Sequence, residues 1–571
     1  MDRREFLKLG AAAAAGSTVA GVTINQAGAT APRPPGSDVE EVTIAELQDR
    51  MTRGRLTSRE LVRKYLDRID AIDRRGPRLN SVIEVNPDAE RIARDLDRER
   101  REGHVRGPLH GIPILLKDNV DTADATQTAT GSLALVGPPP AQDATVAALL
   151  REAGAVLLGK AGLSEFANFR GFSSSSGWSG RGGQVNNPYV LDRNPCGSSS
   201  GSGSATAASL CAAAIATETD GSIVCPAHAN GVVGIKPTVG LTSRAGVIPI
   251  AAAQDTVGPH GRTVADAVAV LGATASVEPD PRDPATASNR DLVFRDYTQF
   301  LDPNGLQGKR IGVARAGVTG YSEETDAVFE ANIIALRDAG AVVVDPADIP
   351  TIEQIGAGVE EITVLVFEFK RDLNAYLATR TGLPALSMAE IIAFNLANED
   401  AELKWFGQQW LELSESEPFT EAEYLAALAE ARRIGGPDGI DAVLAQHNLD
   451  AIVAPTGSPA WPSDLVNGDH FLGASSGPAA VAGYPLITVP AGDAFGLPVG
   501  LTFMGTAYSE PTLIALAHGF EQATMARRRP EYLPTLPTDG RRPRSPRQAA
   551  LAAIPSPAAA PRTPAAVIYH L

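Results

Sequence analysis

Residues 194–238 read NPCGSSSGSGSATAASLCAAAIATETDGSIVCPAHANGVVGIKPT. The stretch opens with a serine/glycine cluster at 197–203, continues through small apolar residues at 205–216 and reaches a second polar turn at 217–222. Small residues let two backbone segments approach closely, and glycine also permits positive φ. We therefore expect two hydroxyl-bearing turns to lie side by side, which would suit a nucleophile site.

A flexible linker is the alternative interpretation, because serine/glycine-rich runs are common in linkers and turns. The argument against a linker comes from Lys117, which ends the apolar run GIPILLK at 111–117. That run predicts a buried strand. A buried lysine can lose its proton because burial disfavours the charged form, whereas an arginine stays charged. Lys117 is therefore a candidate base.

Three motifs together resemble the amidase signature family with its Ser-cisSer-Lys triad. They are Lys117 in GIPILLKDN, Ser198 in CGSSSGS and Ser222 in TETDGSI, and the resemblance extends from about residue 40 to about residue 530. The peptide amidase branch of the family is the most similar, on the stretches 163–171, 181–184 and 187–189. Many members carry Gly-Gly before the nucleophile, where this chain has Asp220 and Gly221.

The resemblance implies a fold and a set of catalytic roles. The fold is α/β, a large mixed β-sheet covered on both faces by helices, with a helical cap insertion at about 354–435. Ser222 would be the nucleophile, Ser198 would follow a cis peptide bond and relay the proton, and neutral Lys117 would accept it. Ser199 is a candidate supporting residue that would hydrogen-bond the lysine or orient the nucleophile.

The resemblance also implies an oxyanion hole made of consecutive backbone N–H groups in the second turn. These groups belong to Thr219, Asp220, Gly221 and Ser222. Asp255 and Arg262 would hold the loops of the site, and His110 is interpreted as a packed turn residue.

The expected function is hydrolysis of carboxamide C–N bonds through an acyl-enzyme, with C-terminal amides of peptides as substrates. Aryl, acyl or aliphatic amides are alternatives within the family, as is the amidase subunit of a transamidating complex. Outside the family, an α/β-hydrolase-type esterase remains open because 197–201 and 473–477 both fit GxSxG. A catalytically inactive binding protein is a further alternative.

Composition narrows the range of partners. The chain has 571 residues and a net charge of −17, which disfavours nucleic acid and anionic membrane surfaces. The eight histidines are scattered and no HExxH occurs, so we expect no metal and no cofactor. The three cysteines are interpreted as packing residues rather than as a disulfide framework. The expected partner is a small-molecule or short peptide amide.

The two ends of the chain differ from the rest. Arg3 and Arg4 precede a mildly apolar alanine-rich run, which predicts a twin-arginine signal peptide at 1–31, with an incidental arginine pair as the alternative. We expect export by that route to the periplasm or the exterior, with no stable membrane insertion after processing. The catalytic domain is predicted at 32–534, and a Pro/Ala-rich disordered tail at 535–571.

Overall fold

The computed structural model describes residues 37–537, and the leader predicted at 1–31 lies outside them, as does most of the predicted tail. Eleven strands form one sheet in the order β1-β3-β2-β6-β8-β7-β12-β13-β11-β9-β10, and β4 pairs with β5 alone. The strands are β1 Val82–Val85, β2 Pro113–Lys117, β3 Val156–Ala161, β4 Trp178–Ser179, β5 Gly183–Gln184, β6 Ala213–Glu218, β7 Val233–Lys236, β8 Thr256–Gly261, β9 Arg310–Val313, β10 Val342–Val344, β11 Ala451–Pro455, β12 Leu486–Ala494 and β13 Leu497–Met504.

Helices occupy much of the remaining chain. They are α1 Ile44–Thr52, α2 Ser58–Arg68, α3 Ala89–Arg101, α4 Thr145–Glu152, α5 Ser200–Ala207, α6 Val224–Ala229, α7 Val264–Thr274, α8 Glu323–Asp338, α9 Ile352–Gly356, α10 Val359–Leu377, α11 Met388–Ala397, α12 Glu399–Glu402, α13 Gln409–Glu415, α14 Glu421–Gly435, α15 Asp441–His447, α16 Gly477–Ala482 and α17 Glu510–Thr524. Within residues 37–537, none of them is both long and apolar enough to span a bilayer.

Both faces of the sheet are buried. Side chains alternate from face to face along a strand, and neighbouring residues of β11 and β13 accordingly join different apolar clusters. Val453 and Phe503 pack with helices α7, α8 and α17. Ile452 and Met504 pack with α15 and α16 instead. The prediction of a mixed sheet covered on both faces by helices is confirmed.

Parallel pairing places the candidate base beside the serine-rich segment. Strand β2 lies between β3 and β6 and is parallel to both. Leu116 of β2 is opposite Ile215 of β6, so Lys117 and Thr217 leave the sheet at the same edge. The carboxyl ends of parallel strands are where α/β proteins place ligand sites.

Small residues let helix α5 lie close to the sheet. A Cβ at Gly201 would lie 2.4 Å from the carbonyl oxygen of Ser81 and 2.5 Å from backbone atoms of Gly162. No side chain fits there, and the Gly201 N–H donates to the Gly162 carbonyl at 2.8 Å. The serine/glycine run is therefore a packed helix rather than a linker.

Helices α9 to α14 occupy the region of the expected cap insertion. Three of them, α10, α11 and α13, share an apolar cluster with the segment around Phe166 and Phe169. The rings of Phe169 and Trp410 are stacked at 4.8 Å, and Phe369 of α10 lies edge-on to Phe169 at 5.2 Å. This contact places α10 and α13 against the chain that follows β3.

Arg170 connects the same helical region to the body of the protein. Its fully buried guanidinium donates to Glu165 Oε1 at 3.1 Å and to the Phe406 carbonyl at 2.9 Å. It also lies 4.2 Å from the centre of the Phe406 ring, a favourable cation–π distance. Glu402, from the end of α12, is 3.8 Å from the guanidinium.

Replacement of Arg170 by Met should lower the free energy of unfolding by about 3–5 kcal/mol, because Glu165 and Glu402 would be left buried without their cation. Thermal unfolding measures the loss. Arg433→Met is the matched control, since Arg433 pairs with Glu430 at the surface, and its melting temperature should match that of the wild type. A melting temperature for Arg170→Met equal to the control's would contradict the anchoring role.

Candidate active site

Lys117 is fully buried at the end of β2 and touches only uncharged groups. Its Nζ lies 2.8 Å from Ser198 Oγ, 2.8 Å from Thr217 Oγ1 and 3.1 Å from the Thr217 carbonyl oxygen. Asn119 Nδ2 donates to the same threonine hydroxyl at 3.0 Å. Burial lowers the pKa of Lys117 to about 7, although Asp255 and Glu218 nearby oppose the shift. A substantial fraction of the amine is therefore neutral near pH 7.

The two adjacent serines of the first turn have different partners. The Gly197–Ser198 peptide bond is cis, as the resemblance implies. Ser198 faces the lysine, and its carbonyl accepts from the Ser164 N–H at 3.1 Å. Ser199 Oγ donates to the Thr217 carbonyl at 3.0 Å and accepts from the Thr217 N–H at 3.2 Å. Ser199 thus contacts the threonine beside the lysine rather than the lysine itself.

Ser222 lies in a tight turn between β6 and α6. Gly221 has φ +74°, a left-handed conformation that favours glycine. The Ser222 carbonyl accepts from the Ser199 N–H at 3.3 Å, which brings the two serine-bearing turns into contact. Glu218 closes the turn, because its Oε2 accepts from the N–H groups of Ile223 at 2.6 Å and Val224 at 2.9 Å.

The backbone of this turn presents a row of donors. Within residues 37–537 four consecutive N–H groups lack an acceptor, those of Thr219, Asp220, Gly221 and Ser222. Buried backbone donors are almost always paired, so four in a row next to a buried lysine and two serines suit an anionic oxygen. These are the four residues for which an oxyanion hole is predicted.

Asp255 supports the turn from the far side. Its Oδ1 accepts from Thr219 Oγ1 at 2.6 Å, and its Oδ2 accepts from the N–H groups of Ile250 and Ala251. A cavity of about 410 Å³, lined in part by Arg244, reaches this carboxyl. Burial raises the pKa of Asp255 to about 7. The interpretation of Asp255 as a loop-holding residue fits these contacts.

The same interpretation is wrong for Arg262. Its guanidinium donates to the carbonyls of Val42 and Cys211 at 2.8 and 2.7 Å, beneath the connection between α5 and β6. His110 is buried, and its Nε2 lies 3.0 Å from the Leu96 carbonyl, as expected for a packed residue.

A disulfide joins the two serine-bearing turns, which corrects the interpretation of the cysteines. Cys196 and Cys225 are bonded, with Cα atoms 5.9 Å apart, whereas Cys211 is free and buried. Cys196 lies two residues before Ser198, and Cys225 lies three residues after Ser222. Each of the two cysteines lies close in sequence to a candidate catalytic serine, and that placement could have indicated the disulfide. The number of cysteines alone did not indicate it.

No described histidine hydrogen-bonds either Ser198 or Ser222. His228 accepts from the Gly500 N–H through Nδ1 and donates to the Ser458 carbonyl through Nε2. His260 lies 2.9 Å from the Ile223 carbonyl. Both are buried with backbone partners, so the described residues lack the histidine that an esterase of the α/β-hydrolase type would need. Likewise, no described cluster of three or more acidic, histidine or cysteine side chains could hold a metal.

Comparison with known proteins identifies relatives along most of the chain. The family model Amidase matches residues 60–514. A probable amidase of Arabidopsis thaliana is 43% identical over 503 residues, which are 87% of this chain and 92% of the relative.

Two solved structures are similar in both sequence and fold. The native peptide amidase of Stenotrophomonas maltophilia is 53% identical with a TM-score of 0.82, over 86% of this chain and 99% of that one. A peptide amidase in complex with the competitive inhibitor chymostatin is also 53% identical, with a TM-score of 0.83, over 86% of this chain and all of that one.

The kcat/KM of the wild-type enzyme should rise with pH through about 7, because only the neutral form of Lys117 can accept a proton. Asp255→Asn should move this acid limb slightly to lower pH, since Asp255, whose own pKa is about 7, is partly charged there and raises the pKa of Lys117. The pH–rate profile on an amide without ionisable groups measures both. A limb that stays in place or moves to higher pH in Asp255→Asn would contradict the electrostatic link.

Proposed function

The chain belongs to the amidase family and is an amide-hydrolysing enzyme, and on that premise we propose that it releases ammonia from C-terminal amides of peptides with Ser222 as nucleophile. The observation that carries the mechanism is the 2.8 Å contact between the buried Lys117 amine and Ser198. Its amine has no carboxylate in direct contact among the described residues, and its pKa lies at about 7. It can therefore act as a base near neutral pH.

The acylation step follows from that contact. Lys117 accepts the proton of Ser198 while Ser198 takes the proton of Ser222, and the Ser222 oxygen forms a bond to the carboxamide carbon. The negative oxygen is stabilised by the free N–H groups of the turn at 219–222. The C–N bond then breaks, the proton returns through Ser198 to the nitrogen, and ammonia leaves.

Deacylation uses the same groups in the same order. Water gives one proton to Ser198 and, through it, to Lys117, while its oxygen attacks the ester carbon. The bond to Ser222 breaks, Ser222 regains a proton, and the product is a carboxylic acid. No cofactor is required by this sequence of proton transfers. Ser199 keeps Thr217, and with it the lysine, in place.

The peptide preference rests on similarity. The two solved structures compared above, each 53% identical, are peptide amidases, and this chain covers nearly all of each. The helical region α9–α14, which borders the site through α10, is the part of the chain where selectivity among amides would arise. Aryl, acyl and aliphatic amides are therefore the competing substrates in the test.

Turnover of a panel of amides tests the proposal, measured as released ammonia for the primary amides and as released aniline for the anilides. Peptide C-terminal amides should be hydrolysed, whereas anilides and simple aliphatic amides should be poorer substrates. Ser222→Ala and Lys117→Ala should each lose about 10⁴-fold or more in kcat, as removal of a nucleophile or its base does in related mechanisms. Release by the isolated chain also separates this function from that of a transamidating subunit.

Lys160→Met is the matched control for Lys117→Ala. Lys160 is equally buried on the neighbouring β3, but it donates to the Val120 carbonyl and to Thr128 and touches neither serine. The Lys160→Met variant should therefore retain far more activity than Lys117→Ala. Turnover of anilides or aliphatic amides alone would remove the peptide preference and keep the mechanism. Full activity in Ser222→Ala would contradict the mechanism itself.

We further propose that the enzyme is exported through the twin-arginine signal predicted at 1–31 and works in an oxidising compartment. The Cys196–Cys225 disulfide supports this, since such bonds persist mainly outside the reducing cytoplasm. The net charge of −17 disfavours nucleic acid and anionic membrane surfaces as partners.

Cell fractionation with thiol alkylation tests the export proposal. The full-length protein should appear outside the cytoplasm with Cys196 and Cys225 protected from alkylation. Replacement of Arg3 and Arg4 together by Lys should retain it in the cytoplasm with both thiols alkylated, because the signal requires the arginine pair. Unchanged export of the double variant would contradict the twin-arginine route.

A further inference from the structure

Asp220 lies in the turn that carries Ser222, two residues before that serine. Its side chain has no role in the mechanism proposed above. Its carboxyl is buried, and its Oδ1 has no hydrogen-bond partner among the described residues. Burial raises the pKa of Asp220, while a hydrogen bond from Ser476 opposes the shift. A buried acceptor without a donor is costly unless a ligand supplies one.

A second buried carboxyl, in the helical region, interacts electrostatically with Asp220. Glu361 of α10 is only 6% exposed and accepts from Gln254 Nε2 at 2.7 Å. Burial raises the pKa of Glu361 to about 8, and the Asp220 carboxyl contributes to the increase. Two neighbouring buried carboxyls disfavour each other's charge, so Glu361 is mostly protonated near neutral pH.

Contacts on two sides place α9 and α10 against the turn. On one side Gln254, the partner of Glu361, immediately precedes Asp255, which holds Thr219. On the other side Ser476 Oγ would lie 3.2 Å from a Cβ on Gly221. The next residue, Gly477, is similarly close to Ile355 of α9. Asp220 and Glu361 therefore lie where the helical region packs near the turn at 219–222.

The tetrahedral carbon formed by attack of Ser222 carries an oxygen, a nitrogen and the acyl chain. The free N–H groups of the turn suit the oxygen. The nitrogen of an unsubstituted carboxamide instead carries two N–H donors and needs acceptors. The Oδ1 atom of Asp220, on the same turn, is an acceptor that lacks a donor among the described residues.

We propose that Asp220 and Glu361 form the subsite for the carboxamide nitrogen and make the enzyme selective for primary amides, –CONH₂, over N-substituted amides. The inference rests on the proposed role of Ser222. An N-methyl group would replace one N–H and leave a buried acceptor unpaired. Sites built to bind an N–H reject analogues that lack it by factors of up to about 10⁴–10⁵.

The test compares kcat/KM for a primary amide and for its N-methyl counterpart, in the wild type, Asp220→Gly and Glu361→Gln. Two substrate pairs are used: an N-acetyl dipeptide amide and a simple acyl amide, each with its N-methyl counterpart. The wild type should prefer the primary amide strongly. Both variants should reduce that preference tenfold or more, mainly through a lower kcat/KM for the primary amide.

Glu368→Gln is the matched control, because Glu368 lies on the same helix and accepts from the Ala253 N–H and from Tyr424. It should retain the wild-type preference. Equal losses on both substrates in Asp220→Gly and Glu361→Gln, with the preference unchanged, would show a merely structural role and overturn the proposal. If only the peptide amide is not hydrolysed, the proposed peptide preference is wrong. The acyl amide and its N-methyl counterpart would then still test the role of the two carboxyls.

Discussion

The burial of one amine organises the candidate site. Lys117 ends a fully buried strand, and every direct contact of its Nζ among the described residues is to a hydroxyl or a carbonyl. An ammonium group without a carboxylate partner is expensive to bury, so the proton is held weakly and the pKa lies at about 7. Lys160 and Lys236 are also buried with lowered pKa values of about 8. Lys117 is distinguished from Lys160 by its contact with a serine of the site.

The order of strands in the sheet places the other residues of the candidate site next to the Lys117 amine. Because β2 and β6 are adjacent and parallel, Lys117 and Thr217 emerge at one edge, and the turn after β6 carries Ser222. Glu218 and Asp255 fix that turn from two directions. The disulfide between Cys196 and Cys225 then holds the two serine-bearing turns together covalently. Rigid support of this kind is what a site with a fixed row of N–H donors needs.

Much of this could be predicted from residues that are close in sequence. The motifs around Lys117, Ser198 and Ser222 predicted the family and the covered mixed sheet, and both are confirmed. The disulfide was missed because its cysteines are 29 residues apart and read as small packing residues. Arg262 was misplaced because an arginine after a motif does not reveal which backbone carbonyls it will meet. Glu361 could not be foreseen either, since it reaches the turn only after α10 has packed against the chain that follows β3.

The most direct test of the account is titration of the Lys117 amine itself. The chain contains only eight lysines, so isotopic labelling of lysine side chains gives a simple NMR spectrum, and Lys117→Met identifies the resonance. If Lys117 is the base, this amine loses its proton at about pH 7 in the folded enzyme. A Lys117 amine that stays charged up to about pH 10, as an exposed lysine does, would contradict the proposed base and the mechanism that depends on it.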